Sequence, residues 1–231
     1  MKWFGRSKEP ENSKVSSGMP TLQTIYRHCT TLNPQKIIRQ PIAKTRFVVL
    51  DTETTGFQAN SRDEIISIAL LELNGLEKTD REYKTLINPG RPIPESSTEI
   101  HGIRDADVRD APILGDKLAD IIMFIDEAIV VGHHISFDID FLSKHLQKLI
   151  GCSLQNPWID TMWLYAELTG KPDHYKLDEV ARASGVEIAE RHTAYGDAHA
   201  TADIFIQLTQ RMIKPADPVS RLIAMQYNYE M

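Results

Sequence analysis

The chain has 231 residues, 42% apolar and 25% charged, with a formal net charge of −6, a composition that excludes wholesale disorder. No apolar run approaches the roughly 20 residues needed to span a bilayer, and the opening MKWFGRSKEPENSK has no apolar core behind it, which argues against a secretory signal. Cys29 and Cys152 have neither CxxC nor Cys/His zinc spacing and read as reduced thiols, so a cytoplasmic location is expected.

Charge is distributed unevenly along the chain. Residues 1–46 hold nine Lys/Arg against Glu9 and Glu11, leaving 17 basic and 30 acidic residues for the rest. Residues 1–45 therefore read as a basic extension, serving either as a phosphate-attracting arm or as a solubilising tail. Its first 20 residues, rich in Ser, Lys, Glu and Pro, are expected to be disordered, and Leu22–Cys29 to form a short helix.

From Arg46 the pattern changes. Phe47-Val48-Val49-Leu50 is a β-favouring apolar run of the kind buried on both faces of a sheet. Ile65–Leu73 and Glu82–Ile87, divided by the turn signal Asn74-Gly75, complete an antiparallel three-strand meander. The period then lengthens to a helical stripe over Pro112–Ile125, followed by a short strand at Ala128–Val131 and an amphipathic helix at Phe137–Ile150. A strand including Ile159 and helices over Trp158–Leu168, Leu177–Ser184 and Gly196–Ile213 follow, with Gly185 as a helix C-cap. Trp158 and Trp163 are expected in the core. The order predicts an α/β fold, a mixed sheet covered by helices at 46–213, with a short C-terminal tail at 214–231.

Three polar segments interrupt this pattern. In Asp51-Thr52-Glu53-Thr54-Thr55-Gly56 the two acids are two apart at a strand end, so both project from one face. Adjacent carboxylates repel unless a cation separates them, and Mg²⁺ or Mn²⁺, which prefer oxygen ligands, would do so. Asp138 follows Gly132-His133-His134-Ile135-Ser136-Phe137 at a strand-to-helix junction, and Asp197 opens a helix five residues after His192. Singly, these acids are explained as a polar strand end, a residue favouring the helix dipole and a helix cap. In this order and together, those readings are much less economical.

The segments resemble the three motifs of the DEDDh (DnaQ-like) 3′–5′ exonucleases, D-x-E-T-T-G, H-N-x-x-F-D and H-x-x-x-x-D, the family that includes the DNA polymerase III epsilon proofreading subunit. The resemblance covers Arg46–Ile213 and extends to Ala198, Thr201 and Ala202. One position departs: His134 stands where the family usually has Asn. The resemblance implies a ribonuclease-H-like fold with a five-stranded mixed sheet. It also implies two Mg²⁺ (or Mn²⁺) ions about 4 Å apart on Asp51, Glu53, Asp138 and Asp197, with Asp51 bridging. His192 would be the general base, since an imidazole of ordinary pKa near 6.5 accepts a proton at neutral pH. The backbone at Thr54 and Gly56 would approach the terminal nucleotide, and Phe57, His101, His133 and Phe137 would line its pocket.

The expected substrate is a nucleic-acid 3′ end, with DNA favoured and RNA trimming the alternative, since these residues do not read the 2′-hydroxyl. A DNA polymerase is an expected partner. The 18 residues after Ile213 carry no sliding-clamp motif, which favours a free-standing enzyme or one docked through its basic arm. Two other classes remain open: a noncatalytic module binding nucleic acid or a polymerase, and a zinc hydrolase built on His133 and His134.

Overall fold

The computed structural model describes residues 22–59 and 62–227, so the stretch 1–20 expected to be disordered lies outside the described residues. In chain order the elements are α1 (Leu22–Thr31), α2 (Pro34–Ile37), a 3-10 turn (Ile42–Lys44), β1 (Arg46–Thr54), β2 (Ile65–Asn74), β3 (Glu77–Leu86), α3 (Glu95–His101), α4 (Asp105–Val108), α5 (Leu114–Ile125), β4 (Ile129–Gly132), α6 (Ser136–Ile150), β5 (Trp158–Asp160), α7 (Thr161–Thr169), α8 (Leu177–Ser184), α9 (Ala194–Met212) and α10 (Val219–Gln226). The sheet has five strands in the order β3-β2-β1-β4-β5. β1–β2 and β2–β3 pair antiparallel, whereas β1–β4 and β4–β5 pair parallel, so the expected mixed sheet is present.

β1 shows why an unbroken apolar run was needed. Phe47 and Val49 enter a core shared with α8, α9 and α10, while Val48 and Leu50 enter another shared with α1, α5 and α6. Helices cover both faces, so neither parity of the strand can be polar until it leaves the cores. Phe205 of α9 seats on Phe47 with ring centroids 5.0 Å apart, and truncating such a fully buried ring costs about 3–5 kcal/mol. Ala198 and Ala202 share that helix face, and their small side chains let α9 lie close over β1.

The limits drawn at 46 and 213 do not separate packing units. Ile25, Ile37 and Ile42 on one side, and Val219 and Leu222 on the other, are buried in the same two cores. As far as its described residues reach, the segment after 213 is not a loose tail. Gln226 at the end of α10 is fully buried; its Oε1 accepts from the Asp160 N–H at 3.0 Å and its Nε2 donates to the Trp158 carbonyl at 3.1 Å. The stretch before α5 also departs from expectation, because it winds into α3 and α4. α3 stops at Gly102, whose φ of 74° supplies the left-handed cap that places a turn after His101. Among the described residues no helix is long and apolar enough to cross a membrane.

Candidate active site

The site is built where β1 runs out of the cores. Asp51 and Glu53 continue the parity of Phe47 and Val49, so they point to the α9 side of the sheet. Asp197 reaches them from the first turn of α9, and among the described residues these three form a group whose ligand atoms lie within 4.8 Å of one another. Asp138 comes from the first turn of α6, on the opposite face, and is only 4% exposed. Thr52, of the intervening parity, donates from Oγ1 to Asp138 Oδ1 at 2.6 Å. Three of the four expected acids thus gather at one strand end, and Asp138, outside that group, is tied to the same strand through Thr52.

Such crowding favours the protonated forms. Burial, then the negative charges of Asp138, Asp197 and Glu53, hold the Asp51 carboxyl well above the usual range. Burial, then Asp197 and Asp138, push Glu53 up to about 7, and burial pushes Asp138 up to about 7. Asp197 is raised by burial against the opposing pull of Arg191. Its Oδ2 accepts from Arg191 Nη1, while its buried Oδ1 finds no hydrogen-bond partner among the described residues. A cluster of hard oxygen donors, raised titrations and an unsatisfied buried acceptor fits a divalent cation.

His192 is exposed on the loop before α9 and has a φ of 61°. A non-glycine residue held in the left-handed region costs roughly 1–2 kcal/mol, and such strain clusters at functional sites. The loop is held from both ends. Thr193 caps α9 by accepting from the Gly196 N–H at 3.0 Å, and Arg191 grips Asp178 of α8 through Nε and Nη2 at 3.0 Å. Gly196 is obligatory here: a Cβ at this position would lie 2.0 Å from the Glu190 carbonyl oxygen.

The expected pocket residues divide into two groups. Phe57 is 79% exposed and its ring lies 6.4 Å from Phe137, which itself packs 4.8 Å from Phe141. Thr54 Oγ1 donates to the Gly56 carbonyl at 2.7 Å, fixing the turn after β1. His101 is buried; its Nδ1 accepts from the Ile103 N–H at 3.0 Å, and burial lowers its pKa. His133 is spent internally, with Nδ1 at 3.0 Å from Thr161 Oγ1 and Nε2 at 2.8 Å from the Tyr175 carbonyl. Burial, then the neighbouring His134, depress its pKa to about 3. These contacts leave His133 no nitrogen for zinc, and the acidic group that could hold a metal among the described residues contains no histidine.

Four residues of the site's framework were not singled out from the sequence: Thr52, Arg191, Asp178 and Asp160. Asp160 is buried, and its carboxylate accepts from the His134, Ile135 and Met162 N–H groups at 3.1, 3.1 and 2.9 Å. It therefore pins the turn into α6 while capping α7. An Asp closing a short strand ahead of a helix is an N-cap signal that the sequence did offer. Trp163, expected in the core, is only half-buried and packs against His174.

The family model described as Exonuclease (RNase_T) matches residues 48–205. A DNA polymerase III subunit epsilon-like protein of Rhodobacter capsulatus is 41% identical over 171 residues, covering 73% of this chain but only 24% of that protein. The DNA polymerase III subunit epsilon of Aquifex aeolicus is 32% identical over 175 residues, covering 76% of this chain and 86% of that one. The chain spans about a quarter of the first of these relatives and 12% of several PolC-type polymerases that it also matches. In fold it is similar to Exonuclease X in complex with 5′ overhanging duplex DNA (TM-score 0.59, 23% identity, 77% of this chain and 99% of that one). It is also similar to the nuclease domain of 3′hExo, a DEDDh family member, bound to rAMP (TM-score 0.64, 18% identity, 73% and 94%). These neighbours bind DNA or RNA components, share the ribonuclease-H-like arrangement of this five-stranded sheet, and belong to a family that uses divalent metal. With the acidic cluster of Asp51, Glu53 and Asp197 in place, this chain belongs to the exonuclease (RNase_T) family, with DnaQ-like, DEDDh-type motifs.

Proposed function

We propose that this chain is a metal-dependent 3′–5′ exonuclease that removes nucleoside monophosphates from 3′ ends, with DNA its favoured substrate. One observation carries the reading: three carboxylates from β1 and α9 converge within 4.8 Å beside a fourth, Asp138, that is held by Thr52. Asp51, Glu53, Asp138 and Asp197 are the residues that would hold two Mg²⁺ or Mn²⁺ ions. Bound there, the ions would activate a water and neutralise charge on the phosphate and the leaving 3′ oxygen. His192, on its exposed loop, takes the proton from the attacking water. Phe57 and Phe137 grip the terminal base by its faces, a mode indifferent to base identity. The preference for DNA rests on the names of the relatives, and a DNA polymerase is the partner they suggest.

End-labelled DNA and RNA oligonucleotides, incubated in parallel with Mg²⁺ or Mn²⁺, test this. A ladder shortening from the 3′ end, absent with Asp51→Ala and strongly reduced with His192→Ala, is the expected result. Faster loss of RNA would replace DNA as the substrate, and no cleavage in either metal would leave a binding module as the better reading.

A further inference from the structure

A run of rings from His133 to Trp163 takes no part in the proposed reaction. His133 sits edge-on to His134, with centroids 4.9 Å apart and planes at 82°. His134 is nearly parallel to His174, 6.1 Å away with planes 22° apart, and His174 lies 6.1 Å from Trp163. His174 is exposed, whereas His134 and Trp163 are half-buried behind it.

Two fixtures hold this run in place. Asp160 accepts from the His134 N–H at 3.1 Å, and His134 is held at a φ of 58°. The loop carrying His174 is anchored because the adjacent Tyr175 carbonyl is bonded to His133 at 2.8 Å. The same loop carries Lys171 and Lys176, both exposed, together with Asp173, whose carboxylate accepts from the His174 N–H at 2.7 Å. An exposed imidazole backed by two half-buried rings, with exposed lysines on the same loop and His134 four residues from Asp138, has the chemistry that single-stranded nucleic acid requires: stacking for a base and positive charge for the backbone.

We propose that His134, His174 and Trp163 form a second stacking site, which holds a base upstream of the nucleotide being removed, with Lys171 and Lys176 meeting the strand's phosphates. This rests on the exonuclease reading and deepens it. Phe57 and Phe137 grip the terminal nucleotide, and the second set of rings steadies the strand behind it. Single-stranded ends are the substrate class such a site favours, because a paired base has its faces occupied by its neighbours.

Binding of fluorescein-labelled thymidine oligonucleotides of one, two, four and eight residues, followed by anisotropy in Ca²⁺ on the full chain, tests the site apart from turnover. In the wild type, affinity should climb steeply as upstream nucleotides are added. His174→Ala should reduce that gain about tenfold, in line with the loss of one stacked base, and His174→Phe should restore it. Equal affinity of His174→Ala and wild type for the longer oligonucleotides would overturn the proposal, as would a loss that His174→Phe does not repair, or a wild type that binds none of them. A 3′-shortening ladder from a wild type whose affinity ignores His174 would sink this inference alone. Absence of the ladder with His174-dependent binding intact would sink only the catalytic reading.

Discussion

Thr52 and Asp138, 86 residues apart in sequence, share a 2.6 Å hydrogen bond that ties the end of β1 to the first turn of α6. It is a direct tether between the strand bearing two acids and the helix bearing a third, and it opposes the upward push of burial on Asp138. Thr52→Val keeps the shape and removes the donor. The variant should lose about 1–2 kcal/mol of stability in urea unfolding, and its metal affinity should rise only at higher pH than in wild type. An unchanged unfolding midpoint together with an unchanged pH dependence of metal binding would contradict this role.

Arg191 is a resident cation in the carboxylate site, bonded to Asp197 and held from behind by Asp178. It offsets part of the charge that a divalent ion would otherwise neutralise. Replacing it should act in opposite directions on two measurements. In EDTA, Arg191→Met should lower the melting temperature, because Asp197 loses its partner. By calorimetric titration it should bind Mn²⁺ about tenfold more tightly, corresponding to about 1.4 kcal/mol of competition removed. Weaker Mn²⁺ binding would instead make Arg191 a support for the metal ligands.

The raised carboxyls fix the sign of a pH effect. Glu53 and Asp138 titrate at about 7 in the folded chain, against about 4 when unfolded. Between those values the folded state holds protons that the unfolded state has released, so this contribution to stability is full below about pH 4 and fades as pH rises to 7. Without metal, wild type should therefore lose stability relative to the Glu53→Gln, Asp138→Asn double variant as pH rises from 5 to 8. With Mn²⁺ the wild-type loss should reverse, and affinity for the ion should increase with pH. Parallel stability profiles for the two proteins in EDTA would be inconsistent with the raised values.

Gly196 couples backbone shape to chemistry. The atom an alanine would add lies 2.0 Å from a backbone oxygen, a contact that no rotamer relieves. Gly196→Ala must shift either the loop bearing His192 or the start of α9 bearing Asp197. Turnover on an oligonucleotide should fall at least a hundredfold while the far-ultraviolet circular dichroism of the bulk fold is retained. Activity within a fewfold of wild type would show that the loop adapts.

Much of this arrangement is legible in the sequence because it depends on short-range geometry. The two-residue spacing of Asp51 and Glu53 on a strand dictates a shared face, and a glycine after Ser184 dictates where α8 ends; its φ is 71°. Other features depend on contacts made late in the chain. α10 is short, and its buried positions include a glutamine, so nothing periodic separates it from a tail. α3 and α4 are seven and four residues long, below the length at which apolar spacing is readable. The fate of His133 could not be read either, since it depends on a carbonyl 42 residues away. His134 is a middle case. Its left-handed backbone explains why a position usually filled by Asn accepts His, as both residue types tolerate that region better than most, but its stacking on His174 has no local signature.

The two hydrogen bonds from Gln226 to β5 also bear on how the protein behaves in a crowded solution. A sheet's outermost strand offers unpaired amides and carbonyls to any extended segment nearby, which is how many aggregates begin. At β5 a side chain of the same molecule already occupies the Asp160 N–H and the Trp158 carbonyl. At the opposite margin, β3 reads Glu-Lys-Thr-Asp-Arg-Glu-Tyr-Lys-Thr-Leu, a charged border ill-suited to a dry strand pairing. With one border plugged and the other charged, sheet extension is a poor route to self-association, and loops and helix surfaces are the parts left for other molecules to meet.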